Sequence, residues 1–427
     1  MHRFTHSRWT RTVFVFAAMA LVLSPLLFGG THAAAPSQVS QIPNPRSGNG
    51  QGPHHPPKPL PHPPGANARP GAARPNAVPI WVQETASNPF AFAGGLGMAT
   101  DSARNTVVLY LPNCGAFPGC GVTSSQTWVW NGTAWNQAAG TQPTPARDHP
   151  NMSFDPGTGK VMLFGGLGTG GTNGILLNDT WEFDGTNWSQ IVTRNAPSPR
   201  YEAAMAPTHG GVMLMGGNVL GTGFSDEDAP HVFATGDTWI FSGGNWSQLC
   251  PSGMLPAPRH QAGMATPPGS VIPILYGGQM GKDPVTGNGN VGRSGEVFVA
   301  NFGGGGPGAG CGWTMQTPTN GAPTEYAPPP PTFGPQPRAV GGFASTNAPS
   351  NGILLFSGKV AGDEDGPNTW EYIPGGTPQW QQFQNFDIPG AANQPSGEFP
   401  GDMAMATDPT TGTPLLVESG GTWRWAH

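Results

Sequence analysis

A tryptophan-bearing hairpin recurs along this chain, and no other feature constrains its fold as strongly. In Asn178–Gln190, reading NDTWEFDGTNWSQ, the runs Thr180–Phe183 and Asn187–Gln190 alternate apolar and polar side chains around Asp184-Gly185-Thr186. Alternation with period two is the mark of a strand with one buried face, and Asp-Gly supplies the backbone that a tight hairpin requires. Trp181 and Trp188 are expected to anchor its two strands. The first aromatic of each hairpin falls at Trp128, Trp181, Trp239, Phe298, Trp370 and Trp423, and the second tryptophan at Trp135, Trp188, Trp246, Trp313 and Trp380. A unit repeated at this spacing buries its apolar face by stacking on its neighbours.

The hairpin belongs to a longer unit. In the clearest copy Pro-x-Pro-Arg leads into a methionine-bearing segment (Pro197 to Met205), then an apolar run closing in Gly-Gly (Val212–Gly217), then Asp237-Thr238-Trp239 and Asn245-Trp246-Ser247-Gln248. The apolar-to-glycine run returns at Leu163–Gly166, Leu214–Gly217, Leu275–Gly278 and Leu355–Gly358. Together these motifs resemble the kelch repeat of the galactose oxidase/kelch superfamily, over roughly residues 80–427. The resemblance concerns the propeller part of that superfamily only.

The expected fold is therefore all-β, a six-bladed kelch-type β-propeller. The last unit, Gly420-Gly421-Thr422-Trp423-Arg424-Trp425, has no fourth strand after it, while Ile80-Trp81-Val82-Gln83 matches Asn187-Trp188-Ser189-Gln190. The N-terminal strand is thus expected to complete the C-terminal blade, which pairs an otherwise open sheet edge.

Before the repeats, Arg3, Arg8 and Arg11 precede an apolar run from Val13 to Phe28 and the small residues Thr31-His32-Ala33-Ala34-Ala35. This order reads as a secretory signal peptide over residues 1–35, with cleavage after Ala33. Residues 36–79 are rich in Pro, Gly, Asn and His, and read as a disordered linker whose His54, His55 and His62 are solvated. The expected location is secreted, periplasmic or cell-surface, and a monomer is expected.

The chain has 66 glycines and 50 prolines, assigned by the repeats to turns and linker rather than to low complexity. Charged residues are 10% of the chain and the formal net charge is −6. No basic field exists to attract nucleic acid. No apolar segment beyond the signal is long enough to span a bilayer.

Four cysteines in an exported chain suggest disulfides. Cys114 and Cys120 share one loop and are expected to pair, which leaves Cys250 and Cys311 for each other. Loops between second and third strands carry Ser225-Asp226-Glu227-Asp228, Asp283–Asn290 and Asp363-Glu364-Asp365. Their oxygen-rich side chains could take calcium, but none has the EF-hand spacing, so no metal site and no cofactor are assigned.

The candidate ligand site comes from one aligned position. Five residues before Met152, Met205, Met264 and Phe343 stand Arg147, Arg200, Arg259 and Arg338, whereas the same count from Met98 and Met405 gives Ala93 and Pro400. One reading makes each arginine an architectural contact repeated from blade to blade. The other makes them a crescent of guanidinium groups at the channel mouth, suited to a carboxylate or sulfate. His149, Tyr201, Glu202 and His260 follow these arginines, differ between units, and join the candidate set.

Two function classes follow. A rigid exported propeller can present its loops and mouth to a glycan or protein as a binding module. The resemblance also implies enzymes: bacterial sialic-acid mutarotases, for which Arg200, Glu202 and His260 would supply the acidic-sugar contact and the acid–base pair, and galactose-oxidase-like copper oxidases. The oxidases need a tyrosine–cysteine crosslink, and with five tyrosines and peripheral cysteines this chain fits them less well. Binding is the favoured reading.

Overall fold

The computed structural model describes residues 80–91, 95–112, 124–168, 175–220, 232–249, 256–281, 292–301, 312–316, 335, 338–347, 350–360, 368–375, 379–384, 395 and 403–426. The signal segment, the linker, all four cysteines and the three acidic loops lie outside the described residues.

The described residues are all-β, without a helix, and form six antiparallel sheets of four or more strands, taken here in chain order. Sheet 1 contains Gly97–Asp101, Thr106–Leu111, Gln126–Trp130 and Trp135–Ala138. Sheet 2 contains Asn151–Asp155, Lys160–Gly168, Ile175–Phe183 and Trp188–Ile191, with Arg147–Asp148 added beside Lys160–Gly168. Sheet 3 contains Ala204–Thr208, Gly211–Met215, Thr238–Ser242 and Asn245–Leu249. Sheet 4 contains Gly263–Ala265, Ile274–Tyr276, Val297–Asn301 and Gly312–Gln316. Sheet 5 contains Arg338–Ser345, Ile353–Val360, Thr369–Ile373 and Gln379–Gln384.

Sheet 6 differs in its connectivity. Ala404–Asp408, Thr413–Glu418 and Gly421–Ala426 come from the end of the sequence, and Ile80–Thr85 pairs beside Gly421–Ala426, with Trp81 opposite Trp425 and Gln83 opposite Trp423.

Within each sheet the apolar-to-glycine run is the second strand. Residues such as Val161–Phe164, Val212–Leu214 and Ile353–Leu355 have no exposed surface, because both faces of that strand are covered by adjacent sheets. Burial on two faces turns alternation into a continuous apolar run. In the hairpin behind it Thr180–Phe183 is buried throughout, while of Trp188–Ile191 only Trp188 is buried and Ser189 and Gln190 are exposed, so the alternation expected from the sequence does not appear in the burial.

Apolar clusters lie between sheets rather than within one. Val108 and Tyr110 of sheet 1 pack with Val161 and Phe183 of sheet 2, and Val107 and Leu109 of sheet 1 pack with Leu415 and Val417 of sheet 6. Indole-to-hydroxyl bonds cross the same interfaces: Trp188 Nε1 donates to Thr127 Oγ1 at 2.9 Å, Trp246 Nε1 to Thr180 Oγ1 at 2.9 Å, Trp313 Nε1 to Thr238 Oγ1 at 3.0 Å, and Trp81 Nε1 to Thr369 Oγ1 at 3.0 Å. Each first strand also packs against two others; Gly97–Asp101, for example, touches both Asn151–Asp155 and Ala404–Asp408.

Candidate functional site

The four repeated arginines do not line the channel mouth. Arg147 and Arg200 have no exposed surface, and Arg259 and Arg338 have 1%. Each donates to the carbonyl of the first residue in the pair closing its own apolar run: Arg147 to Gly165 at 3.1 Å, Arg200 to Gly216 at 2.9 Å, Arg259 to Gly277 at 2.9 Å and Arg338 to Ser357 at 3.1 Å. Three also hold a carboxylate placed two residues before the first aromatic of the hairpin. Arg147 binds Asp179 through both terminal nitrogens, Arg200 likewise binds Asp237, and Arg259 Nη2 reaches Glu296 at 2.9 Å.

Of the two readings of the repeated arginines, these contacts are those of the architectural one, a set of internal ties, and not of a guanidinium crescent. A buried guanidinium must be paired, and the nearest carboxylate and free carbonyls belong to its own sheet. Arg200 makes the point most fully. Its five N–H donors meet Ser198 O, Ser198 Oγ, Gly216 O and the two oxygens of Asp237, which leaves no donor for a ligand.

The second residue of this pair is glycine behind all four arginines, and the junction explains why. Gly166, Gly217 and Gly278 donate to the carbonyls of Arg200, Arg259 and Arg338, one sheet further on, each at 2.9 Å. Gly166 has φ +106, and a Cβ there would stand 2.9 Å from the Asp148 carbonyl. Only glycine suits that backbone and that approach.

What the arginines position is the residue two places on. His149, Glu202 and Gln261 occupy this place in sheets 2, 3 and 4, with φ of 49°, 55° and 52°. Left-handed backbone costs such residues of order 1 kcal/mol or more, and it persists only where surrounding contacts over-determine it. Here they do: His149 N donates to Gly95 O at 2.9 Å, Gln261 N to Glu202 O at 3.0 Å, and Val340 N to Gln261 O at 2.9 Å. The three side chains line a cavity of about 200 Å³ between the first strands of the sheets.

Glu202 is the hub of this mouth. It accepts from His260 Nδ1 at 2.8 Å, Asn218 Nδ2 at 2.9 Å and Gln261 Nε2 at 3.0 Å, and His149 Nε2 stands 3.5 Å away. Burial pushes its carboxyl upward, but the His260 hydrogen bond, the charges of His149 and His260 and the Gln261 amide outweigh it and hold the group below the usual range. An ionised carboxylate only accepts, so the proton of the short contact lies on His260 Nδ1. The ring of His260 is thereby oriented with Nε2 as its second nitrogen.

Tyr201 completes the cluster. Its ring meets that of His149 edge-on at 6.1 Å, and its backbone exchanges two hydrogen bonds with Asn218. Burial first, and the Glu202 charge second, raise its phenol to about 12, so it stays a neutral donor. Asp148 lies beside His149 at 3.5 Å, and its Oδ1 is buried without a hydrogen-bond donor.

Of the residues singled out in the sequence, His149, Tyr201, Glu202 and His260 therefore come together, whereas the arginines turn away from the mouth. Gln261 and Asn218 were missed. Gln261 had a usable signal, since it follows Arg259 as Glu202 follows Arg200. Asn218 had only its place after the second glycine pair.

No family model matches the chain. Among solved structures it is similar to that of YjhT, a β-propeller protein, at 14% identity and a TM-score of 0.51, over 80% of this chain and 95% of that one. At this identity the likeness shows the fold alone: the chain is a β-propeller.

Proposed function

We propose that this chain is an exported, monomeric six-bladed kelch propeller, closed by its N-terminal strand, that acts as a binding module for a glycan at the mouth of its channel. The observation that carries the binding reading is the Glu202 hub. One buried carboxylate holds His260, Asn218 and Gln261 by hydrogen bonds, with His149 3.5 Å away, and Glu202, Gln261 and His149 line a cavity. Such a ring of fixed donors and acceptors suits the hydroxyls of a sugar, and the apolar wall opposite, with Leu96, Val340 and Met403, suits its ring face.

Support for six blades and closure comes from the pairing of Ile80–Thr85 with Gly421–Ala426 and from the contact between the first strands of sheets 1 and 6. Export rests on the signal-like opening of the sequence. The reading needs no cofactor, and calcium at the acidic loops remains an addition to it rather than a requirement. The low charge content gives nucleic acid no purchase. No helix among the described residues is long and apolar enough to cross a membrane.

An enzyme acting on an acidic sugar is less well supported, because the arginine it would use for the sugar carboxylate, Arg200, has its five donors engaged.

The test is a thermal-shift screen of the purified chain against neutral, amino and acidic oligosaccharides, followed by calorimetric titration of any hit. A ligand selective for the native state raises the melting temperature by mass action. A neutral or amino sugar is expected to do so, and Glu202→Gln is expected to abolish the shift without lowering the ligand-free melting temperature by more than a few degrees. A shift confined to uronic or sialic acids would overturn this assignment in favour of the acidic-sugar reading. Absence of any shift would move the site from glycan to protein ligands.

A further inference from the structure

We propose that one proton holds the Glu202 cavity in shape: His149 is an imidazolium clasped between the carboxylates of Asp148 and Glu202, and alkaline pH unfastens it. The inference rests on the reading of this cavity as the ligand site, and it gives that site a regulation by pH.

The geometry is that of a cation between two anions. His149 Nδ1 stands 3.5 Å from Asp148 Oδ1 in its own sheet, and His149 Nε2 stands 3.5 Å from Glu202 Oε1 in sheet 3. A neutral imidazole has one N–H, so its other nitrogen would turn a lone pair toward a carboxylate. An imidazolium presents an N–H and an opposite charge to both. Asp148 points the same way. Its Oδ1 is buried and accepts no hydrogen bond, so a neighbouring positive charge is what can offset its burial. Gly95 closes over this pair, since a Cβ there would collide with Asp148 Oδ1 and come within 3.0 Å of His149 Nδ1.

No guanidinium takes the role of that charge. Arg147 and Arg200 are bound to Asp179 and Asp237. Among the described residues, the charged groups facing His149 are Asp148 on its own strand and Glu202 on the adjacent sheet. Beyond Glu202 lies His260, whose Nδ1 holds the other carboxylate oxygen at 2.8 Å. Tyr201, at the ring edge, is a neutral phenol, and Gly95 offers only its carbonyl, to the His149 amide.

The ring is 21% exposed, so solvent protons reach it. Because the fold favours the protonated ring, the tie between sheets 2 and 3 is lost as pH rises through the titration of His149. One contact then turns repulsive, and His149, which lines the cavity, is released.

The test uses the full chain without ligand, so its outcome is separate from that of the glycan screen. Histidine rings labelled with nitrogen-15 report protonation by NMR, and loss of signal in His149→Gln assigns the ring. At pH 7 both nitrogens of His149 are expected to be protonated, and Asp148→Asn is expected to leave a neutral tautomer at that pH. At pH 9 the wild-type ring is expected to be neutral. Exchange of the His149 amide should then have risen about tenfold more than that of the Val161–Phe164 amides, as local opening requires. A neutral ring at pH 7 in the wild type, a ring still protonated at pH 9, one equally charged in Asp148→Asn, or exchange that keeps pace with Val161–Phe164 would each overturn the proposal. The wild-type spectra decide the matter even if the variant folds poorly.

Discussion

Trp135 donates its indole N–H to Thr422 Oγ1 at 2.9 Å, joining positions 287 residues apart. The same contact recurs between Trp188 and Thr127, Trp246 and Thr180, Trp313 and Thr238, and Trp81 and Thr369. In each case the second tryptophan of one sheet meets the residue before the first aromatic of another. Val297 holds that place in sheet 4, so there the repeat presents no hydroxyl. The tryptophan spacing that defines the repeat therefore serves the junction between sheets as much as the hairpin.

Removing one such hydroxyl tests its weight. Thr180→Val keeps the shape but strips the acceptor from the fully buried Trp246 indole. An orphaned buried donor costs about 1–3 kcal/mol. Calorimetric unfolding should show that loss, and an unchanged melting temperature would mean the contact contributes nothing.

Closure by the N-terminal strand is tested by truncation. Trp81 is 4% exposed and packs against Phe356 at 5.1 Å and Trp425 at 5.3 Å between ring centroids. A chain beginning at residue 76 should melt as the full chain does. One beginning at residue 86 should lose at least about 3–5 kcal/mol, the cost of removing a buried aromatic. Equal melting of the two truncations would be incompatible with the closing role of this strand.

The arginine ties predict an acid-sensitive fold. Burial pushes Asp237 up, but the hydrogen bond and charge of Arg200 outweigh it and hold the carboxyl below its ordinary value. Its contribution is thus complete above the unfolded pKa near ~3.9 and is lost as pH falls through the lower folded value. Asp237→Asn leaves a buried guanidinium without its counter-charge and should cost about 3 kcal/mol at pH 7. Urea denaturation between pH 2 and 7 should show the gap between variant and wild type closing toward the acid end; a constant gap would contradict the ionic account.

Glu371 carries the opposite sign. It is fully buried, its Oε2 has no hydrogen-bond partner, and burial, partly opposed by Ser350, raises its carboxyl. In sheet 2 the equivalent Glu182 is paired with Lys160 at 3.0 Å, but glycine, Gly352, stands in the lysine's place in sheet 5. Stability is therefore lost as pH rises from the unfolded value near ~4.3 through the raised folded one. Glu371→Gln should match wild type near pH 4 and exceed it at pH 7. A variant less stable at pH 7 would show the carboxylate has a partner after all.

Much of this architecture was legible in the sequence because it is local. Trp181, Trp188 and the Asp184-Gly185 turn declare a hairpin by spacing alone, and Leu214–Gly217 declares a buried strand and its sharp exit. The row of arginines was equally visible, and so, in principle, were their partners. Asp179, Asp237 and Glu296 stand two residues before an aromatic in the three sheets that ion-pair, whereas Gln126 and Gly421 stand there in the two that lack the arginine.

By itself the sequence determined the strands, their repeat and which positions of each unit are equivalent, because backbone preference and one-sided burial act over a few residues and leave a period. Only the tertiary structure decided which way the equivalent side chains face. Arg200 turns toward Asp237, 37 positions away, since a buried guanidinium takes the carboxylate its own sheet provides. Glu202 gathers Asn218, His260 and Gln261 because adjacent sheets bring them to one channel mouth, and that convergence depends on how the sheets stack, which no local pattern records.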